Sequence, residues 1–141
     1  MNFLLDTHVV SEWTKPQPNP GVVAWLANVD EDRVFISVIT LAELRHGVEK
    51  MNAGTRRDRL DTWLSQQIPG RFDNRILTID PETADHWGRI MARCQAAGRR
   101  MSSNDGFIAA TARQHDMDLI TRNTTDFETS GIRLINPWRE E

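Results

Sequence analysis

Four acidic residues, Asp6, Glu43, Asp105 and Asp126, stand apart from the surface charges of this 141-residue chain because each sits at a junction or among apolar neighbours. Asp6 ends the apolar run Phe3-Leu4-Leu5, and Asp126 follows the apolar segment at residues 118–121. Asp105 comes where a polar loop turns into a helical pattern, and Glu43 lies beside Ile39 and Thr40. In an open parallel sheet the functional crevice lies beyond the carboxyl ends of the strands. If these ends converge, three or four carboxylates share one cleft, where like charges cannot all stay ionised without a cation between them. A hard divalent ion such as Mg²⁺ takes oxygen ligands, keeps several waters and leaves room for a substrate phosphate. The chemistry expected of such a cleft is hydrolysis of a phosphodiester.

Each carboxylate also has a plainer reading. Asp6 and Asp105 stand where helix caps stand, a role favoured by the free amides and dipole of a helix start by about 0.3–1 kcal/mol. Glu43 lies off the apolar stripe of its helix, where a solvated glutamate is ordinary. Asp126, before Phe127, fits a turn. Other chemistries lack their local marks: there is no G-x-S-x-G, P-loop, G-x-G-x-x-G or H-E-x-x-H. His8, His46, His86 and His115 are scattered, with no ligand-spaced pair on one helix. Cys94, the only cysteine, shares a face with Trp87, Ile90 and Met91 and reads as core. Arg56, Arg57, Arg59, Arg99, Arg100 and Arg122 read either as an RNA path or as solvated charge. Trp13, Trp63 and Trp138 read either as stacking surfaces or as core, core being preferred for Trp63.

The elements that must position these groups alternate in character along the whole chain. Strands are expected at residues 2–5, 33–36, 75–79, 118–121 and 132–135. Between them, helices are read from Val9, Val10 and Trp13; from Asn19-Pro20 over 21–28; and from Leu41, Leu44, Val48 and Met51, with Thr40 and Glu43 as a capping-box pair. A helix opening at Thr55 and carrying Leu60, Trp63 and Leu64 must stop around Pro69-Gly70. Asp80-Pro81 starts one that runs to Gly98, residues 104–115 form the next, and residues 122–130 read as turn. Strands separated by helical crossovers predict an α/β fold with a mainly parallel sheet of four or five short strands.

One domain over residues 1–141 fits this length. The longest stretch without a charge, residues 16–29, carries three prolines and is far shorter than a bilayer span requires. The start, Phe3-Leu4-Leu5 before Asp6 with no basic residue ahead, fits neither a secretory nor a transit signal, and a cytoplasmic protein is expected. A lone cysteine excludes an intrachain disulfide and a cysteine zinc cluster. The net charge of −3 argues against non-specific adhesion to nucleic acid but not against an enzyme whose acidic site takes up cations.

Four blocks in order carry a resemblance. They are Phe3-Leu4-Leu5-Asp6-Thr7-His8-Val9-Val10-Ser11-Glu12, then Ser37-Val38-Ile39-Thr40-Leu41-Ala42-Glu43-Leu44-Arg45-His46-Gly47, then Asp105-Gly106-Phe107-Ile108-Ala109-Ala110-Thr111-Ala112, and Thr121-Arg122-Asn123-Thr124-Thr125-Asp126-Phe127. Together they resemble the PIN-domain ribonucleases, and within them the VapC and FitB-like toxins of toxin-antitoxin pairs, over essentially the whole chain. The resemblance implies a three-layer PIN-like fold and a Mg²⁺- or Mn²⁺-dependent endoribonuclease, usually homodimeric and neutralised by a cognate antitoxin. It also implies metal and catalytic roles for Asp6, Glu43, Asp105 and Asp126, with Thr40 and Asn123 in support. His8 departs from the family, which often has asparagine at that position; an imidazole facing the cleft would alter pH dependence.

Two other functions remain open at this stage. A weakly catalytic or non-catalytic binding module would join an antitoxin in a DNA-bound repressor complex. A phosphatase of the haloacid-dehalogenase type also begins with a strand ending in aspartate, but its D-x-D is here Asp6-Thr7-His8, without the second acid.

Overall fold

The computed structural model describes residues 1–139, so the single domain read over 1–141 ends in two residues, Glu140 and Glu141, that lie outside the described ones. The first strand, β1 (Phe3–Leu5), is apolar throughout because it is covered on both faces: Leu4 packs into one core and Leu5 into the other. β2 (Val34–Ser37) and β3 (Ile76–Leu77) lie on one side of it, β4 (Asp118–Ile120) and β5 (Leu134–Ile135) on the other. The order is β3-β2-β1-β4-β5 and every pairing is parallel, with Leu4 opposite both Phe35 and Leu119. The chain steps outward from β1 to β3, then crosses back to β4. The direction of winding therefore reverses between β1 and β4, where a crevice opens at the carboxyl ends of the strands.

Helices fill the two outer layers. On one face α6 (Pro81–Ala96) and α7 (Ser103–Gln114) bury Ile90, Cys94, Ile108, Ala109 and Ala112 against Leu4 and Leu119. On the other, α1 (Thr7–Glu12), α2 (Pro20–Asn28) and α5 (Ile68–Arg71) bury Val9, Val10, Val22 and Ile68 against Leu5 and Ile120. Each of the buried valine, leucine and isoleucine side chains among these is worth about 1.5–3 kcal/mol, which is what orders strands of only two to four residues. The remaining helices are α3 (Val38–Lys50), α4 (Thr55–Thr62) and α8 (Thr124–Phe127). Among the described residues no helix is long and apolar enough to cross a membrane.

The local signals at helix starts hold where proline follows a cap. Asn19 Oδ1 accepts from the Gly21 amide at 2.9 Å, and Asp80 Oδ1 accepts from the Thr83 amide at 2.9 Å while Thr83 Oγ1 accepts from the Asp80 amide. The structure differs in four places. The cap of α3 is Ser37, whose Oγ accepts from the Ile39 amide, so Thr40 and Glu43 are not a capping box and their polar groups are free for tertiary work. The helix opened at Thr55 does not end at Pro69-Gly70. A widened turn at Trp63–Gln67, in which the Ile68 amide donates to Trp63 five residues back, lets the path continue through Pro69 to Arg71. β3 and β5 are two residues each rather than five and four. Residues 122–130, read as turn, contain α8 and a 3-10 turn at Glu128–Ser130.

One close approach governs the position of α7. A Cβ on Gly106 would stand 2.6 Å from Met91 Sδ and 2.8 Å from Trp87 Nε1, so only glycine lets the first turn of α7 lie this near α6.

Candidate active site

Asp6 leaves the end of β1 at the reversal of winding and is only 4% exposed. Its amide donates to the Ile120 carbonyl at 2.9 Å, fixing it to the end of β4. Both carboxylate oxygens are held: Oδ1 accepts from the Thr7 amide at 2.8 Å, and Oδ2 accepts from Thr121 Oγ1 at 2.7 Å. It is thus the helix cap that the plainer reading described, and it also points into the crevice. Burial pushes its pKa up; the Thr121 and Thr7 hydrogen bonds and the charge of His8 pull the other way, and Glu43 adds to the rise. The net direction is upward.

Glu43 and Thr40 reach the same place from α3. Glu43 Oε1 accepts from Thr7 Oγ1 at 2.7 Å, and the Thr7 and Thr40 hydroxyls lie 3.1 Å apart. Thr40 is fully buried and Glu43 half-buried, so an exposed helix glutamate is not what the fold makes of it. Thr7 is the hinge of this group. Sequence reading missed it and also missed Thr121, whose hydroxyl accepts from the Asn123 amide at 3.0 Å while donating to Asp6. Their only signal was adjacency to an acidic motif, since the contacts span 36 and 115 positions.

Asp105 enters from the first turn of α7, half-buried, where Ser102 rather than Asp105 is the cap. Its pKa is pushed up to about 6, first by burial and then by the charges of Asp6 and Glu43, with a smaller push from Asp126 and an opposing hydrogen bond from Ser102. Three carboxylates therefore act on the fourth. Asp126 lies exposed on α8 at the rim, its amide donating to the Asn123 carbonyl at 3.1 Å. Asn123 supports the site through its main chain, with no capping bond from its side chain. His8 is exposed.

The donor set of this cluster is all oxygen and partly desolvated, which suits a hard divalent ion that keeps part of its water shell. Among the described residues no three acidic or histidine side chains are already gathered into a closed cage. An open site of mixed carboxylate and water ligands fits these residues; a closed structural one does not.

The other candidates separate. Trp13 is covered by the Arg71 guanidinium at 4.2 Å and tilts against Phe72, and Trp63 and Trp138 pack on the same core, so all three serve structure. Arg57 is committed to Glu49 at 2.5 Å and Arg99 to Glu128 at 3.3 Å, while Arg56 and Arg59 line a cavity of about 630 Å³ between α1 and α4. None of the four site carboxylates lines that cavity, although it is larger than the groove of about 260 Å³ beside Glu43, so size does not locate the chemistry here. His46, read from the sequence as one of four scattered histidines, and Lys50, which sequence reading left out, border that groove with Glu43 and Asn104.

Comparison with known proteins places the fold and the family. Residues 3–129 match the PIN domain family. Toxin FitB of Neisseria gonorrhoeae is 40% identical over 98% of this chain and 99% of its own length. VapC ribonuclease Y4jK of Sinorhizobium fredii is 36% identical over 96% and 97%. The solved structure of FitAB bound to an IR36 DNA fragment contains a chain of 40% identity that superposes with a TM-score of 0.92, covering 99% of this chain and 97% of that one.

Proposed function

The chain belongs to the PIN-domain family, and from that premise we propose that it is a metal-dependent endoribonuclease, the toxin of a toxin-antitoxin pair. The observation that carries this reading is the gathering of Asp6, Glu43, Asp105 and Asp126 at the switch point of a parallel sheet, where burial first and then the charges of the other three raise the pKa of Asp105. Proteins maintain such mutual repulsion where function requires it. The names Toxin FitB and VapC ribonuclease Y4jK support the activity and its biological setting.

Asp6, Glu43, Asp105 and Asp126 would hold Mg²⁺ or Mn²⁺. When bound, the ion supplies positive charge opposite the phosphate and lowers the pKa of water. The chain does the rest. Thr121 and the Thr7 amide fix the Asp6 carboxylate, and Thr7, backed by Thr40, fixes Glu43, so that neither turns away to solvent. Glu43, held on one oxygen by Thr7, would orient the attacking water, and Asp126 would complete the rim.

The FitAB complex on DNA supports a second element of the proposal, that this chain joins a partner protein in a DNA-bound assembly; that the partner neutralises it is proposed with this. Homodimerisation is proposed with it. The deciding experiment is cleavage of a mixed tRNA and rRNA pool by the purified, partner-free chain with Mg²⁺ or Mn²⁺, beside folded Asp105→Asn. Cleavage by the parent alone, abolished by EDTA, is the expected result. An inert parent that also binds no Mn²⁺ would leave the binding module as the function.

A further inference from the structure

The cleft at Glu43 continues beyond the carboxylates. A groove of about 260 Å³ runs along one face of α3, lined by Ala42, Glu43, His46, Gly47 and Lys50, with Asn104 at the start of α7 as the opposite wall. Positions 43, 46, 47 and 50 follow the three-and-four spacing of one helical face, so the row leads straight out from the acid cluster. Its floor is bare, since a Cβ on Gly47 would meet nothing within 4 Å.

The basic side chains on this face differ in their partners from those on the next. Arg45 is engaged by Asp61 at 2.8 Å and by Ser65, and Arg57 by Glu49. Lys50 and His46 are exposed and, among the described residues, have no hydrogen bond or ion pair. An uncommitted ammonium and an uncommitted imidazole thus lie in a groove that adjoins a cleft of carboxylates at Glu43. Asn104, beside Asp105, adds an amide that can donate from the other wall.

A cleft of carboxylates repels a nucleic-acid strand, so attraction for the strand has to come from outside it. Channels for single strands do this with a positively charged groove that follows the backbone. A protein partner would ask for a different surface, because interface energy concentrates in large apolar or aromatic anchors, and the six lining residues include none. Taking the ribonuclease reading as given, we propose that this groove carries the sugar-phosphate backbone of single-stranded RNA on one side of the scissile bond. Lys50 holds the outer phosphate, and His46 and Asn104 position the inner one.

The test uses a single-stranded oligonucleotide spanning a site cut in the tRNA and rRNA pool, with steady-state kinetics from 50 to 200 mM KCl. Lys50→Ala raises KM by roughly five- to tenfold with kcat changed less than about twofold, as loss of a phosphate contact predicts. It also lowers the slope of log KM against log salt by about 0.7, the value for one contact on a single strand. Lys50→Arg restores both, and Arg89→Ala, an exposed cation on α6 paired with Asp85, behaves as the parent. A Lys50→Ala protein that keeps the parental KM and salt slope overturns the groove assignment while leaving the ribonuclease intact. Weakened binding of a protein partner at unchanged KM overturns it as well. A parent inert on the whole RNA pool overturns the ribonuclease reading, and the groove falls with it.

Discussion

Thr121 Oγ1 donates to Asp6 Oδ2 at 2.7 Å, joining the ends of two neighbouring parallel strands that are 115 residues apart in the chain. The hydroxyl is fully buried and takes the Asn123 amide on its acceptor side, so it has one orientation available. Thr121→Val removes the donor with little change of shape and leaves a buried carboxylate with one partner fewer. Groups that orient site carboxylates in this way are worth about 10–100-fold in metal affinity or activity. RNA cleavage and Mn²⁺ affinity of Thr121→Val both fall in that range, while Thr121→Ser stays near the parent. Equal loss in the two variants would show that the methyl, not the hydroxyl, matters.

Asp105 makes the apoprotein less stable as the pH rises. Its folded pKa of about 6 lies above its ordinary value of 3.8. Below the lower value both states are protonated and nothing is lost. Between the two the unfolded chain gives up its proton first, so stability drops through that window and stays low above pH 6. Thermal melts in EDTA of the parent and Asp105→Asn converge near pH 4 and separate by pH 7, with the variant the more stable. Parallel melting curves across that range would show that Asp105 does not feel its neighbours.

Asp6 and Asp105 were legible in the sequence because junctions are local: a polar residue ending an apolar run is visible without any partner. What holds Asp6 was not legible. Thr7 and Thr121 gain their roles only when the sheet brings positions 7, 40, 43 and 121 together, and no periodicity encodes a hydrogen bond across a strand order. The same limit hid the bond from the Asn123 amide to Thr121 Oγ1, which depends on the path of the chain after β4. The five parallel strands followed from alternation of patterns, but the shortness of β3 and β5 did not, since pairing length depends on where the neighbouring strand ends. The wide turn at Trp63–Gln67 was hidden because a proline normally ends a helix whose bonds run four residues back, and here one bond runs five.

Glu12 carries the opposite pH dependence. It is buried at the end of α1, and burial alone would raise its pKa, but Lys15 Nζ at 2.6 Å and the Asn19 amide at 2.9 Å outweigh that and hold it below its ordinary 4.5. Its contribution is complete above pH 4.5 and fades as the pH falls through the folded value. Glu12→Gln replaces one acceptor by a donor facing these donors, which costs about 1–3 kcal/mol at pH 7. Urea titrations of parent and variant differ by that amount at pH 7 and by less at pH 3. A gap that does not narrow on acidification would assign the cost to packing alone.

Gly106 tests whether the position of α7 sets the chemistry. The residue follows Asp105 directly, and a methyl there would press on Met91 Sδ and on Trp87 Nε1. Met91 can yield, being a flexible thioether. Trp87 cannot yield cheaply, because its Nε1 donates to the Ser103 carbonyl at 3.1 Å and its ring stacks on Phe107 at 5.1 Å. Gly106→Ala gains helix propensity, worth at most about 1 kcal/mol, and loses about 1–3 kcal/mol to overpacking. The net change is a modest loss of stability, relieved by moving the first turn of α7 away from α6 and carrying Asp105 with it. Cleavage activity consequently falls by at least tenfold, since displacement of about 1 Å in a site costs as much as 100-fold, while the protein remains folded at 25 °C. Gly106→Ala combined with Trp87→Phe, which removes the crowded nitrogen, recovers most of the activity. A folded Gly106→Ala protein with parental activity would mean that the contact with α6 does not determine where Asp105 stands.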